Sequence, residues 1–222
     1  MGDLGGKPQG QTKAATIPQS AVRGHRSEDL DRLFRATFFH SHTTVLEGGA
    51  DEPVYRPGNP HRICYTRDYF RSALHEIAHW CVAGPARRQQ EDYGYWYAPD
   101  GRNAEQQAEF TRVEVLPQAY EALFCAACGH PFRVSLDNLD GEAGDERDFA
   151  VKVREKAQAL LKAGLAERPR LWCQVLMEYY GRAHGELETA LEETFMHPAR
   201  LLRRGGVGSI SVRCVSASNT GC

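Results

Sequence analysis

The stretch His75-Glu76-Ile77-Ala78-His79 lies inside a longer segment, Thr66 to Gly84, that reads as one amphipathic helix. Phe70, Ala73, Leu74, Ile77, Ala78, Cys81 and Val82 recur at the three- and four-residue spacing of a buried helical stripe. The side-chain oxygen of Thr66 or Asp68 is placed to accept from the free amides of the first turn. Gly84 followed by Pro85 is a stop signal, because glycine permits a left-handed cap and proline cannot continue the helix. On such a helix His75 and His79 leave the same face one turn apart, so one ring nitrogen from each can reach a single metal ion. Glu76 stands at the edge of that face. This is the H-E-x-x-H arrangement, in which zinc proteases use the glutamate as general base on a metal-bound water. The plainer reading is two histidines on a partly exposed helix with no metal.

Two histidines do not complete a site, so the next question is where a further ligand lies. Asn103 to Cys128 also reads as helical, with Phe110, Val113, Tyr120, Leu123, Phe124 and Ala127 as its apolar stripe. Pro117 inside it predicts a kink or a break, since its ring crowds the carbonyl of Val113 and it has no amide to donate. Glu114 stands between Val113 and Val115, and a carboxylate buried there needs a partner, which a metal held by two imidazoles would provide. Glu105, Glu109 and Glu121 read as solvated helix charges. Cys125 and Cys128 read as small thiols facing a core rather than as a metal or redox pair.

Between the two helices runs Asp92-Tyr93-Gly94-Tyr95-Trp96-Tyr97, followed by Ala98 and the turn Pro99-Asp100-Gly101-Arg102. The alternation predicts a strand. Its aromatic residues either pack into the core or form a wall where ring faces and the carboxylates of Asp92 and Asp100 receive an ammonium group. Arg87 and Arg88 read as solvated, or as facing phosphate or carboxylate. Upstream, Ser27 with Glu28 and Asp29 opens a helix ending near His40, Thr43–Leu46 and His61–Tyr65 are short strand candidates, and Asp51–Pro60 reads mostly as loop. His40, His42 and His61 read as surface or hydrogen-bonded residues. Downstream, Ser135–Asp148 reads as loop, and helices are expected over about Glu146–Lys162, Arg168–Tyr180 and Glu186–Phe195.

Composition narrows the function classes. The chain has 222 residues, 25% charged and 41% apolar, which suits a single domain with trimmed ends. No apolar run is long enough for a membrane span, and the N-terminus lacks the apolar core of a secretory signal. Seven cysteines without disulfide spacing then point to reduced thiols and a cytoplasmic protein. Residues 1–26 carry Lys7, Lys13, Arg23 and Arg26 against Asp3, and residues 201–222 add Arg203, Arg204 and Arg213. A chain of net charge −2 therefore has a distinctly acidic body between basic ends. That argues against nucleic acid as a direct ligand and is compatible with a cationic substrate group. Neither a GxxxxGK[ST] nor a GxGxxG phosphate loop is present.

From about Ser27 to Tyr180 the sequence resembles the elongation factor P hydroxylase family. The resemblance is carried by His75-Glu76-Ile77-Ala78-His79-Trp80-Cys81, Ala83-Gly84 with Ala86-Arg87-Arg88, Asp92-Tyr93-Gly94-Tyr95-Trp96-Tyr97, Pro99-Asp100-Gly101-Arg102, Val113-Glu114-Val115 with Pro117-Gln118-Ala119, and Asp137-Asn138-Leu139. It implies hydroxylation of a lysine on elongation factor P, a lysine that also carries an attached lysyl group. It also implies a metal site around His75 and His79, with Glu114 as third ligand. Inserting oxygen into an unactivated C–H bond calls for a redox-active metal with open positions, so Fe(II) with molecular oxygen as co-substrate is the cofactor expected. Glu76 becomes the candidate catalytic carboxylate, orienting a histidine or a metal-bound water. Asp92, Tyr93, Tyr95, Trp96, Tyr97, Asp100 and Arg102 become candidates for holding the substrate lysyl group.

The expected architecture is a mostly helical α+β domain with a small sheet, over residues 27–197, its metal site on the H-E-x-x-H helix in zincin-like placement. Residues 1–26 and 198–222 read as disordered tails. Two other functions use the same residues. A zinc metallopeptidase would take His75 and His79 as ligands and Glu76 as base, without oxygen. A non-catalytic binder of elongation factor P would keep the site as a relic.

Overall fold

The structure, a computed structural model, describes residues 24–94, 103–136 and 146–196. Helix α1 (Ser27–His42) is followed by strands β1 (Thr44–Ala50), β2 (Val54–Arg56) and β3 (His61–Thr66). Then come α2 (Phe70–Val82), α3 (Ala104–Cys128), α4 (Glu146–Ala163), α5 (Glu167–Tyr180) and α6 (Leu187–Met196). This is the mostly helical α+β arrangement expected. The tails, residues 95–102 and residues 137–145 lie outside the described residues, save Gly24, His25 and Arg26. The strand expected over Tyr95–Tyr97 and the Asp137-Asn138-Leu139 motif fall there. No described helix is long and apolar enough to cross a membrane.

The sheet has the order β1-β3-β2. β3 is its centre, parallel to β1 and antiparallel to β2. The Asp51–Pro60 segment, which reads as loop, contributes β2 because Val54–Arg56 pairs along β3 from Cys64 to Arg62. The sheet delivers the chain directly to α2. Thr66 still pairs with Ala50, and the Arg67 N–H donates to the Ala50 carbonyl at 2.8 Å. For that reason α2 starts at Phe70, later than the sequence implies, with Tyr69 in the cap position and no side-chain cap from Thr66 or Asp68. Its far end also differs: Ala83 is extended and Gly84 adopts no left-handed turn.

α3 is the axis of the helical part, packing against α2, α4, α5 and α6. Every residue from Pro117 to Cys128 is buried. Such burial on all sides marks a central helix rather than a surface one. α3 runs through Pro117 without a break. Of the kink or break expected from proline, the break is outweighed because its neighbours are enclosed by helices on several sides, and packing is worth more than one lost hydrogen bond. Asn103 starts the helix with a capping box, its side chain accepting from the Gln106 N–H at 2.9 Å while Gln106 accepts from Asn103. Gly129, at φ +73, closes it. Cys125 and Cys128 are buried free thiols in the core, as their spacing implies.

Aromatic packing fastens α2 to its neighbours. Trp80 meets Phe34 and Phe38 of α1 at ring-centroid distances of 5.1 and 4.9 Å, and Phe34 in turn meets Trp172 of α5 at 5.7 Å. All four are buried. The C-terminus of α2 is held by two guanidinium groups. Arg168 donates to the carbonyls of Trp80 and Ala83 at 2.7 and 2.8 Å, and Arg88 donates to Ala83 at 2.7 Å. Cations at this end satisfy unpaired carbonyls and oppose the negative pole of the helix. Arg87 likewise donates to a carbonyl, that of Tyr93, at 3.3 Å. The arginines expected to face solvent or anions thus hold backbone. His25, ahead of α1, lies 2.9 Å from the Cys128 carbonyl through Nε2 and stacks on Tyr180.

One buried carboxyl in α1 carries a pH signature. Asp31 is pushed up from 3.8 to about 6, chiefly by burial. Its Oδ1 has no partner among the described residues, and its Oδ2 accepts from the Tyr65 hydroxyl at 3.2 Å. The fold raises this pKa, so its contribution to stability is full below about pH 4 and is lost as pH rises through about 6. Asp31→Asn is expected to raise stability near pH 7 by about 1 kcal/mol after discounting for solvent, or ~2–4 °C in Tm. No gain is expected near pH 4. Thermal melts at the two pH values check both halves.

Candidate metal centre

α2 and α3 face each other with polar stripes. Along α2, Arg71, His75 and His79 recur every fourth residue, and along α3, Glu114, Gln118 and Glu121 share a face over two turns. The stripes meet antiparallel. At one end Arg71 Nε donates to Glu121 Oε1 at 2.7 Å, and at the other His79 Nε2 lies 3.3 Å from Glu114 Oε1. His75 sits between them, with Nδ1 2.8 Å from Glu121 Oε2 and Nε2 3.8 Å from Glu114 Oε2.

The Nε2 atoms of His75 and His79 are 3.0 Å apart. Two nitrogens each about 2.1 Å from one ion, at the roughly 90–110° angles of octahedral to tetrahedral sites, lie about 3.0–3.4 Å from each other. Among the described residues, His75, His79 and Glu114 are the group that could hold a metal, with donor atoms all within 4.8 Å of one another. The surroundings fit a cation. Glu114 and Glu121 are both buried, at 4% and 1% exposure, and a buried carboxylate is costly unless paired.

Burial and neighbouring charge set the two imidazoles apart. Burial, helped by the His75 charge, lowers His79, so its imidazole is neutral and has a lone pair to give. Burial would lower His75 as well, but the Glu121 hydrogen bond and the charges of Glu121, Glu114 and Glu76 override it and raise the group to about 10. Burial would raise Glu121, but Arg71 and His75 hold it below the usual carboxylate range. A cation at the centre would take the place of the His75 proton. Gln118 steadies Glu114: its Nε2 lies 3.4 Å from Glu114 Oε2 and 2.7 Å from the Ser135 carbonyl, and its Oε1 accepts from the Ser135 N–H at 3.0 Å.

Glu76 stands beside this group and is partly buried. It has no hydrogen-bond partner among the described residues. Burial, with Glu114, Asp92 and Glu121 outweighing the pull of His75, raises it to about 7. Of the two carboxylates, Glu121 is the one within hydrogen-bond distance of His75, at 2.8 Å.

The expected substrate wall departs from expectation where it is described. Asp92, Tyr93 and Gly94 form no strand; their φ values are 45°, 59° and 70°, three left-handed residues in succession. Two of the three are not glycine, which is a strained turn. Asp92 Oδ1 accepts from the Tyr55 N–H at 2.8 Å, which anchors the turn to β2. Tyr93 is buried at 5% exposure and stacks on Tyr55 at 4.3 Å. Its ring is therefore core, not an open wall. Its hydroxyl has no hydrogen-bond partner among the described residues, and burial and then the Glu76 charge hold its pKa well above the ordinary value. Tyr95, Trp96, Tyr97, Asp100 and Arg102 lie outside the described residues.

Glu121 is the residue of this cluster that sequence reasoning passed over, because it reads as a solvated charge. Two signals pointed to it. It stands seven residues beyond Glu114, on the same helical face, and it is flanked by Tyr120, Ala122, Leu123 and Phe124, where a solvated charge is out of place.

This geometry defines the class first: a helical protein whose paired helices could bind a metal through two histidines and one carboxylate. The particular family follows from sequence likeness. The profile described as elongation factor P hydroxylase (EpmC) matches residues 33–190. A Haemophilus influenzae protein named elongation factor P lysine hydroxylase is 42% identical over 160 residues, which cover 70% of this chain and 90% of that protein. The chain belongs to the elongation factor P hydroxylase family.

Proposed function

We propose that this chain is a metal-dependent hydroxylase that adds one oxygen atom to the modified lysine of elongation factor P. The observation that carries this reading is the convergence of His75, His79 and Glu114, with donor atoms within 4.8 Å, in a protein of this family. The name of the Haemophilus influenzae relative supplies the substrate class. A ferrous ion bound by three ligands on one face would keep positions open on the other and, with dioxygen, supply an oxidant that no side chain provides.

The chain's own residues do the rest. His75, His79 and Glu114 present one donor each. Glu121 and Gln118 hold two of them from behind. Glu76, partly exposed beside His75, is the carboxylate left to meet the substrate or a bound water. Asp92 adds negative charge to the same region and so favours the approach of a lysyl ammonium. Tyr95, Trp96, Tyr97, Asp100 and Arg102 follow directly on the strained turn, and we keep them as the proposed substrate wall. Tyr93, just before them in sequence, packs in the core against Tyr55. The protein is proposed to act in the cytoplasm, without contacting nucleic acid.

The test is aerobic incubation of lysyl-modified elongation factor P with the protein, ferrous iron and a two-electron chemical reductant, which sends the second oxygen atom to water, followed by the mass of the modified peptide. The expected result is the gain of one oxygen atom, lost under anaerobic conditions. Cleavage of a peptide bond without any gain would replace the hydroxylase with a metallopeptidase.

A further inference from the structure

The two histidines of the centre are not held alike. His75 Nδ1 lies 2.8 Å from Glu121 Oε2, while the other Glu121 oxygen accepts from Arg71 Nε at 2.7 Å. An ionised carboxylate can only accept, so Nδ1 carries the hydrogen and Nε2 faces His79 and Glu114. Glu121 cannot swing away, because it is 1% exposed on the buried part of α3. Arg71 also donates to the carbonyl of Arg133, which ties the pair to the segment after α3. From these contacts we propose that Glu121 is a positioning residue of the metal centre: it fixes the tautomer and ring orientation of His75, and Arg71 fixes Glu121.

This inference rests on the metal-centre reading above. Outer carboxylates that hold a ligating imidazole raise its basicity and remove the need to orient it on binding, and their loss costs roughly 10–100-fold in metal affinity. Glutamine at this position has one acceptor oxygen for two donors, and its amide hydrogens would face donors as well. Nothing in that arrangement selects the Nε2-free tautomer as strongly as a carboxylate does.

The experiment is a Co(II) titration of the full chain, with affinity read by chelator competition and geometry by the ligand-field spectrum. Glu121→Gln is expected to bind about tenfold more weakly than wild type, with a changed spectrum. Arg71→Met sits where the side chain is 34% exposed, so it folds even if a buried variant does not. It leaves His75 and Glu121 paired but unsupported, and a loss of several-fold is expected. Val153→Ala, a core truncation on α4, controls for lost stability and is expected to keep wild-type affinity. Wild-type affinity and spectrum in both site variants would overturn the positioning role while leaving the metal centre standing. If wild type and His79→Ala alike fail to bind Co(II), the metal reading falls and this inference falls with it.

Discussion

His79→Ala is expected to lose metal binding and hydroxylation together while the protein stays folded. One donor of three disappears. Structural zinc sites gain on the order of 3 kcal/mol per ligand, so affinity should fall about a hundredfold or more. The fold should tolerate the change for a local reason. The His79 side chain is 22% exposed, so its truncation opens to solvent rather than leaving a sealed cavity. In the metal-free protein its Nε2 accepts one hydrogen bond, from the His75 Nε2–H at 3.0 Å, and Glu114 Oε2 stays 3.8 Å from that donor when His79 is cut back. The metal-free melting temperature should therefore fall by no more than the roughly 1 kcal/mol of one hydrogen bond. Chelator competition and a metal-free thermal melt measure the two halves. A variant that melts normally and still binds tightly would remove His79 from the site.

The second large effect is at Glu114, where shape and charge can be separated. Glu114→Gln keeps the side-chain volume and an oxygen for Gln118 to donate to, but removes the charge. Metal affinity should fall about a hundredfold, with a moderate loss of metal-free stability because His75 loses one of its carboxylate neighbours. Glu114→Ala removes the atoms as well. It empties a position that is 4% exposed and strips a neighbour from His75, whose side chain would otherwise carry its charge beside two carboxylates. Taking one partner from a buried charged group costs about 3–5 kcal/mol, and we expect the lower end because Glu121 still pairs with His75. Urea denaturation of the two metal-free variants, alongside Co(II) titration, distinguishes them. Wild-type stability for both would mean that Glu114 is no part of the buried charge network.

The legibility of each feature followed how local its cause is. The helical stripe from Phe70 to Val82 and the four-residue spacing of His75 and His79 are local, and both appear as read. The three C-terminal helices were also legible within a residue or two, with Gly164 and Gly181 at their ends in the left-handed conformation. β2 was not legible, because three residues near prolines become a strand only when β3 offers them partners. Of the kink or break that the local rule predicts at Pro117, the break does not occur, because burial among several helices keeps the helix continuous. The Asp92–Gly94 turn was hidden because alternation alone does not reveal that Asp92 would bond to Tyr55, 37 residues away. Glu114 drew attention through its two valine neighbours, whereas Glu121, deeper in the same helix, was set aside as a surface charge. The partner that makes sense of Glu121 is His75, 46 residues back in the chain.

The most direct measurement uses isotopically heavy dioxygen. Elongation factor P bearing the modified lysine is incubated with the iron-loaded protein and a two-electron chemical reductant in ordinary water under the labelled gas, and the peptide mass is recorded for wild type and for His79→Ala. The account predicts one heavy oxygen atom in the wild-type product and none with His79→Ala. An oxygen drawn from water, or labelled product formed equally by His79→Ala, would contradict it.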